Sequence, residues 1–395
     1  MPTPLGLYIH IPFCLSKCAY CDFYSQCADK GEYRKYTKTL ANHILEAKMR
    51  ASDYVVDTIY FGGGTPTAIG ERNLIKILKA ARKSFKIARD YEITVEANPN
   101  SVTCPMLKKL RRAGVNRISF GMQSSNEKEL SALGRTHSLS DVRAAVENAR
   151  RAKIENISLD LMYGIPYQTK ESFLLSIEEA IAMSPTHISC YSLKLEEKTP
   201  LYERQDEYPF PSDDDEADMY LAAVEKIREA GYVQYEISNF AKDGYHSRHN
   251  MRYWTLSDYW GFGPSAHSLI GKKRFSYVRD REKYIKGLSN GDEIIDKIEE
   301  ISRSERCGEY LMLGLRTTSG IEGKAFERTY RISFDEIEKV LEGYLGTGHC
   351  ETDGAKWNLT PEGFLISNTI ICDVLDALEK SEKITTGYKR KEEVK

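Results

Sequence analysis

Cys14, Cys18 and Cys21 fall within eight residues in the spacing Cys-x-x-x-Cys-x-x-Cys. Thiolates are soft ligands that select zinc, copper(I) or iron–sulfur clusters. Structural zinc takes four ligands, usually as two separated pairs, and the sequence offers no matching second pair. His10 could supply a fourth ligand, but it falls within an expected strand. Three thiolates on a cubane leave one iron open for another molecule. A [4Fe–4S] site is therefore favoured over zinc or a plain thiol cluster. The remaining cysteines, at 27, 104, 190, 307, 350 and 372, are scattered and read as ordinary thiols.

Other residues could serve such a centre. Gly62-Gly63-Gly64-Thr65-Pro66 follows an apolar run. Glycines let a ligand approach the backbone and expose N–H groups. Glu96, Gln123, Arg135 and Asp160 stand near or after strand ends, where packing alone would prefer apolar side chains. A carboxylate at 96 suits a ribose hydroxyl, and a guanidinium at 135 suits a bidentate hold on a carboxylate. Tyr8 and Tyr20 could pack near the same place, although a core role is nearly as good a reading.

Elements must bring these residues together. Six apolar, β-branched runs lie at 7–11, 58–61, 92–96, 117–120, 157–161 and 187–191. They read as near-continuous hydrophobic strands buried on both faces of a parallel sheet. Helical patterns fall between them, at 33–50, 71–85, 105–112, 140–152 and 169–183. Pro105 and Ser140 suit helix starts and Gly114 a stop. Six βα units make an α/β fold, either a partial barrel or a doubly wound sheet. Five of the strands end in unusual turns, and in such folds the site lies at the carboxyl ends of the strands. The five turns should converge on one mouth. After 191 the pattern changes: an acidic run at 213–216 opens a helix, and a Gly- and aromatic-rich stretch spans 235–268. The chain then reads as helical from about 296, with short strands near 354–359. The expected organisation is a barrel with its extension over 1–285, a small, mostly helical domain over 296–378, and a charged, disordered tail over 379–395.

Composition sets the limits. The 395 residues are 41% hydrophobic and 29% charged, with a net charge of −2. That balance excludes wholesale disorder and gives no general field for nucleic acid. No window reaches the ~18 apolar residues of a membrane span, and the first residues do not look like a secretory signal. The expected location is the cytoplasm, where nine cysteines, an odd number, stay reduced.

The cysteine spacing, with Tyr20 before the last cysteine, resembles the radical S-adenosylmethionine superfamily. The string Tyr8-Ile9-His10-Ile11-Pro12-Phe13-Cys14 is similar to the oxygen-independent coproporphyrinogen III dehydrogenase (HemN-like) family, including its heme-chaperone branch. The resemblance runs from residue 5 to about 375. It implies a partial (β/α)6 TIM-like barrel with a small carboxyl-terminal domain. It also implies a [4Fe–4S] cluster on Cys14, Cys18 and Cys21, and S-adenosylmethionine held by Tyr8, Tyr20, Gly63, Gly64, Thr65, Glu96, Gln123, Arg135 and Asp160. The chemistry implied is one-electron cleavage of the C5′–S bond followed by hydrogen abstraction.

Two departures point to the chaperone branch. The dehydrogenases carry a fourth cysteine two positions after the third; here that position is Phe23. They also carry a long amino-terminal extension that this sequence does not show. The string His249-Asn250-Met251-Arg252-Tyr253-Trp254 resembles the branch's His-Asn-x-x-Tyr-Trp motif. An imidazole can ligate heme iron, and Tyr and Trp can stack on a porphyrin. The resemblance thus implies heme contacts at His249, Tyr253 and Trp254, with His246 and His267 as fallback ligands. The expected function is heme binding and delivery to acceptor proteins, with an electron donor for the cluster and peripheral membrane attachment left open. The alternative is radical decarboxylation of coproporphyrinogen III or a related tetrapyrrole reaction. Phe23 argues against it, and no catalytic residue is assigned.

Overall fold

The computed structural model describes residues 2–392, with side chains to Ser381. The chain divides into two compact units. The first holds residues up to 232 together with 241–252 and 257–300; the second holds 233–240, 253–256 and the chain from 301.

Six parallel strands organise the first unit: β1 (Thr3–Ile11), β2 (Tyr54–Gly63), β3 (Lys86–Ala97), β4 (Arg117–Gln123), β5 (Asn156–Tyr163) and β6 (His187–Ser192). They pair in sequence order. Helices cross between them, as parallel neighbours require. Four of these helices are capped by side chains from the turns. Asp29 caps Lys30–Glu46, Thr103 caps Cys104–Ala113, Ser138 caps Leu139–Arg151 and Thr169 caps Lys170–Ala182. The cap before Leu139–Arg151 is thus Ser138 rather than Ser140, because Ser138 closes a capping box with Asp141. Gly114 ends its helix in the left-handed conformation, as expected.

The strands are not uniformly apolar. Ile9, Ile59, Val95, Ile118, Leu159 and Ile188 on the outer face are fully or almost fully buried. The alternate residues are polar: Thr58 and Tyr60; Glu92, Thr94 and Glu96; Arg117 and Ser119; Ser158 and Asp160; His187 and Ser189. Side chains alternate between faces along a strand, so the outer face packs on the helices and the inner face forms a polar lumen. Each buried Ile or Leu on the outer face contributes about 1.5–3 kcal/mol, which holds the wall in place while the lumen stays free for chemistry.

Beyond β1 the sheet continues in a way that the six-unit reading lacks. Tyr259–Phe262 pairs parallel to β1, followed by the antiparallel strands His267–Ile270, Lys273–Tyr277 and Ile295–Glu300. Residues 295–300, expected to begin a helical domain, are instead an edge strand. The second unit is mostly helical, with a small antiparallel sheet of Ile321–Glu322, Lys356–Leu359 and Cys350–Thr352. Its last helix is Ser367–Glu392. The disordered tail expected over 379–395 ends outside the described residues.

Candidate functional site

The cysteine loop leaves β1 and folds back on it. The Cys14 N–H donates to the Gln26 carbonyl (3.2 Å) and the Gln26 N–H to the Pro12 carbonyl (3.0 Å). The middle of the loop is pinned from both sides: Ala19 N–H donates to Leu133 O (3.0 Å), and Leu201 N–H donates to Ala19 O (2.9 Å). The glycine loop after β2 lies against it. Gly64 N–H donates to Ile11 O (2.9 Å), Thr65 N–H to Phe13 O (2.7 Å), and the Thr65 hydroxyl to Cys14 Sγ (3.6 Å). A side chain at 64 would meet the Phe13 carbonyl oxygen at 2.6 Å, so this approach requires glycine.

The two loops roof a cavity of about 360 Å³, within the usual range for small-molecule sites. Cys14, Cys18 and Cys21 all line it, with Gly63, Gly64 and Thr65. Among the described residues, no three His, Cys, Asp or Glu side chains gather closely enough to share a single metal ion. The thiols therefore face one space without converging on one point. Burial pushes the Cys18 and Cys21 thiols above their ordinary range; charge on Cys14 raises both further, and charge on Cys18 raises Cys21.

Below the roof the strands supply the walls. The Glu96 carboxylate accepts from the Tyr60 hydroxyl (2.8 Å) and the Gly63 N–H (3.2 Å). Asp160 accepts from Ser119 through both oxygens (3.0 Å each) and from Ser158 (3.1 Å). Burial raises it, while Arg117 and these hydroxyls pull it back. Arg135 donates to Asn98 Oδ1 (2.7 Å) and the Tyr20 hydroxyl (2.6 Å), and its buried Nε has no partner among the described residues. Gln123 lies on the wall in the left-handed backbone region, φ 64°. Such a conformation costs about 1 kcal/mol or more and tends to persist at functional sites.

Residues 8–180 match the Radical SAM superfamily, and residues 301–366 match the HemN C-terminal domain. The heme chaperone HemW of Bacillus subtilis is 36% identical over 367 residues, which cover 92% of this chain and 97% of that protein. The Escherichia coli heme chaperone HemW is 34% identical over 371 residues, 93% of this chain and 97% of that protein. This chain belongs to the HemW family. Its radical SAM membership implies a [4Fe–4S] cluster and S-adenosylmethionine. The solved structure of E. coli coproporphyrinogen III oxidase (HemN), described as a radical SAM enzyme, superposes with a TM-score of 0.83 at 22% identity, covering 95% of this chain and 90% of that one. That likeness shows a shared barrel fold.

In this HemW-family chain the expected site residues divide sharply. The three cysteines, Tyr20, Gly63, Gly64, Thr65, Glu96, Gln123, Arg135 and Asp160 all line the one cavity. Tyr8 does not. Its hydroxyl pairs with His10 Nδ1 (3.0 Å), and its ring stacks on Tyr60 and His249. His249 does not reach the wall either: it is fully buried, with Nδ1 paired to the Thr58 hydroxyl (2.9 Å). Burial pushes it down to about 3, so it is neutral. His246 and His267 are exposed and also lie off the wall. Tyr253 and Trp254 are half-buried and fall in the second unit.

Arg117, Asn98, Tyr60 and Asn250 line the cavity without having been singled out. Arg117, only 1% exposed, is the most telling, because a buried guanidinium demands nearby acceptors. Its signal was the period-2 polar alternation in Arg117-Ile118-Ser119-Phe120.

Burial pushes the Glu96 carboxyl up to about 7, against the hydrogen bonds from Tyr60 and Gly63. Between the ordinary carboxylate range and pH 7 the folded chain therefore holds a proton that the unfolded chain has lost. Its stability falls as pH rises through that window. Replacing the carboxyl with an amide removes this slope. Ligand-free Glu96→Gln should lose less stability than the parent between pH 5 and 8, by about 2 kcal/mol. Denaturant unfolding at the two pH values checks this, and parallel profiles would contradict it.

Proposed function

We propose that the chain is a heme chaperone that holds a [4Fe–4S] cluster and S-adenosylmethionine in the barrel cavity and hands heme to acceptor proteins. The observation that supports it most is the single cavity shared by three cysteines and the glycine loop, in a chain that relatives named heme chaperone HemW match over 92% and 93% of its length. The donor set fits the cofactors. Three thiols that face one space without converging suit separate irons of a cluster. A bound cationic centre would also make three neighbouring thiolates tenable. The unpartnered Nε of Arg135 suits an anionic group such as a carboxylate. The cluster and S-adenosylmethionine supply one-electron chemistry when bound.

The chain's own residues bind and orient. Cys14, Cys18 and Cys21 hold the cluster, and the Gly63–Thr65 backbone presents polar groups to the amine. Glu96 and Asp160 accept from hydroxyls or offset positive charge; Arg135 takes the carboxylate, with Gln123 and Tyr20 beside it. An electron donor for the cluster completes the reading. At the cavity mouth Phe23 is 70% exposed. An aromatic in that position suits the flat apolar face of a porphyrin, and we assign it as a heme contact in the first unit. No helix among the described residues is long and apolar enough to cross a membrane.

The test is made on one anaerobically reconstituted preparation. It should bind heme with a shifted Soret band, pass that heme to an apo-acceptor, and leave coproporphyrinogen III unchanged. Vinyl product without heme transfer would replace this reading with the decarboxylase.

A further inference from the structure

The His-Asn-x-x-Tyr-Trp segment has a task that its composition does not suggest. Its helix, Arg248–Trp254, begins against β3: the N–H groups of Arg248 and His249 both donate to the Glu92 carboxylate (3.2 Å each). Arg252 pairs with Asp57 and donates to the Thr58 hydroxyl (3.2 Å) and the Asp258 carbonyl (2.9 Å). A side chain at Gly6 would strike the Arg252 Cδ at 2.6 Å, so β1 is shaped to admit this residue. Apart from the Asp258 carbonyl, these partners lie partway along β1, β2 and β3, before the turns that carry the cysteines and glycines. The start of the segment therefore packs against the middle of β2 and β3.

His249 is held from two sides. Its Nδ1 pairs with Thr58, and its ring stacks on Tyr60 with centroids 5.2 Å apart and planes 26° from parallel. Tyr60 in turn donates to Glu96, and Glu96 receives the Gly63 N–H. A continuous chain of contacts thus runs Thr58–His249–Tyr60–Glu96–Gly63, from the middle of β2 to the glycine loop. Tyr60, Glu96 and Gly63 line the cavity; His249 does not, whereas its neighbour Asn250 does.

We propose that His249 is a positioning residue that fixes Tyr60, and through it the Glu96 carboxylate, behind the S-adenosylmethionine cavity, and that it does not ligate heme iron. The inference rests on the proposed binding of S-adenosylmethionine and heme. A stacked imidazole stops the Tyr60 ring from turning, and a fixed hydroxyl keeps Glu96 Oε1 occupied. Its other oxygen then stays aimed at the glycine loop. Removing His249 frees Tyr60 and lets the carboxylate swing.

The experiment compares the parent chain with His249→Ala, His249→Gln, Tyr60→Phe and the Ala/Phe double variant, each reconstituted with cluster. Heme titration reads iron ligation through the Soret band, and equilibrium dialysis reads S-adenosylmethionine affinity. His249→Ala should keep the parent's Soret position while its Kd for S-adenosylmethionine rises about tenfold, the scale of one lost hydrogen bond. Tyr60→Phe should rise alike, the double variant should rise no further, and His249→Gln, which can bond Thr58 but offers no ring to stack on Tyr60, should rise like His249→Ala. A shifted or absent Soret band in His249→Ala with unchanged Kd would overturn the proposal, as would multiplicative effects in the double variant. Should melting show His249→Ala unfolded, His249→Gln and Tyr60→Phe decide: a Kd at the parent value in Tyr60→Phe overturns it. A parent chain without any heme band, but with the His249–Tyr60 coupling intact, would sink the chaperone reading and leave this inference standing.

Discussion

Cys18→Ala should leave the reconstituted chain almost free of iron and acid-labile sulfide. Cys18 is one of only three thiols on the cavity, and the nearest other cysteine in sequence, Cys27, is exposed, with its Sγ donating to the Leu15 carbonyl (3.5 Å). Among the described residues, no further thiol lines the cavity to substitute. The fold should survive, because Cys18 is half-buried and the loop is pinned at Ala19 by backbone hydrogen bonds that do not involve the thiol. A melting midpoint near the ligand-free parent's, together with loss of nearly all iron, is the expected pair of results. Iron content at the parent level would show that the cluster is held elsewhere.

Gly64→Ala should damage the same site without touching a thiol. The added methyl would lie 2.6 Å from the Phe13 carbonyl oxygen and 2.9 Å from its carbon and nitrogen. These are backbone atoms, so no side chain can rotate away. The glycine loop must lift, which strains the bonds from Gly64 to Ile11 and from Thr65 to Phe13. Overpacking of this kind costs about 1–3 kcal/mol, and the two lost bonds add about 1 kcal/mol each. The variant should melt earlier, and cluster retention should fall because Cys14 leans on Thr65. Gly343→Ala is the control: it sits in a helix with open space at its Cβ and should be neutral or slightly stabilising. Equal stability of Gly64→Ala and the parent would mean that the loops do not bear on each other as described.

The cavity roof was legible in the sequence because its residues are local. Three cysteines and three glycines occupy two short turns, and each turn follows a strand that could be recognised by its own composition. Thr58-Ile59-Tyr60-Phe61 and its counterparts were legible as strands but not as walls. Read as apolar runs, they hide the polar lumen. Read at period 2, Arg117-Ile118-Ser119 and His187-Ile188-Ser189 show it directly. His249 illustrates the opposite limit. An imidazole in an aromatic string has the composition of a heme site, and only the distant pairing with Thr58 and Glu92, more than 150 positions earlier, buries it instead. The strand at Ile295–Glu300 was missed for a related reason: its charged, mostly exposed residues carry little β signal, and pairing to Lys273–Tyr277 decides their conformation.

One measurement bears most directly on the chaperone reading. Heme is loaded onto the reconstituted protein and mixed with an excess of an apo-heme protein, and the acceptor's own Soret band is followed with the cluster reduced or oxidised, with and without S-adenosylmethionine. Handover should depend on the reduced cluster and S-adenosylmethionine and should disappear in Cys18→Ala. Handover equally fast from the cluster-free chain, or none under any condition, would contradict it.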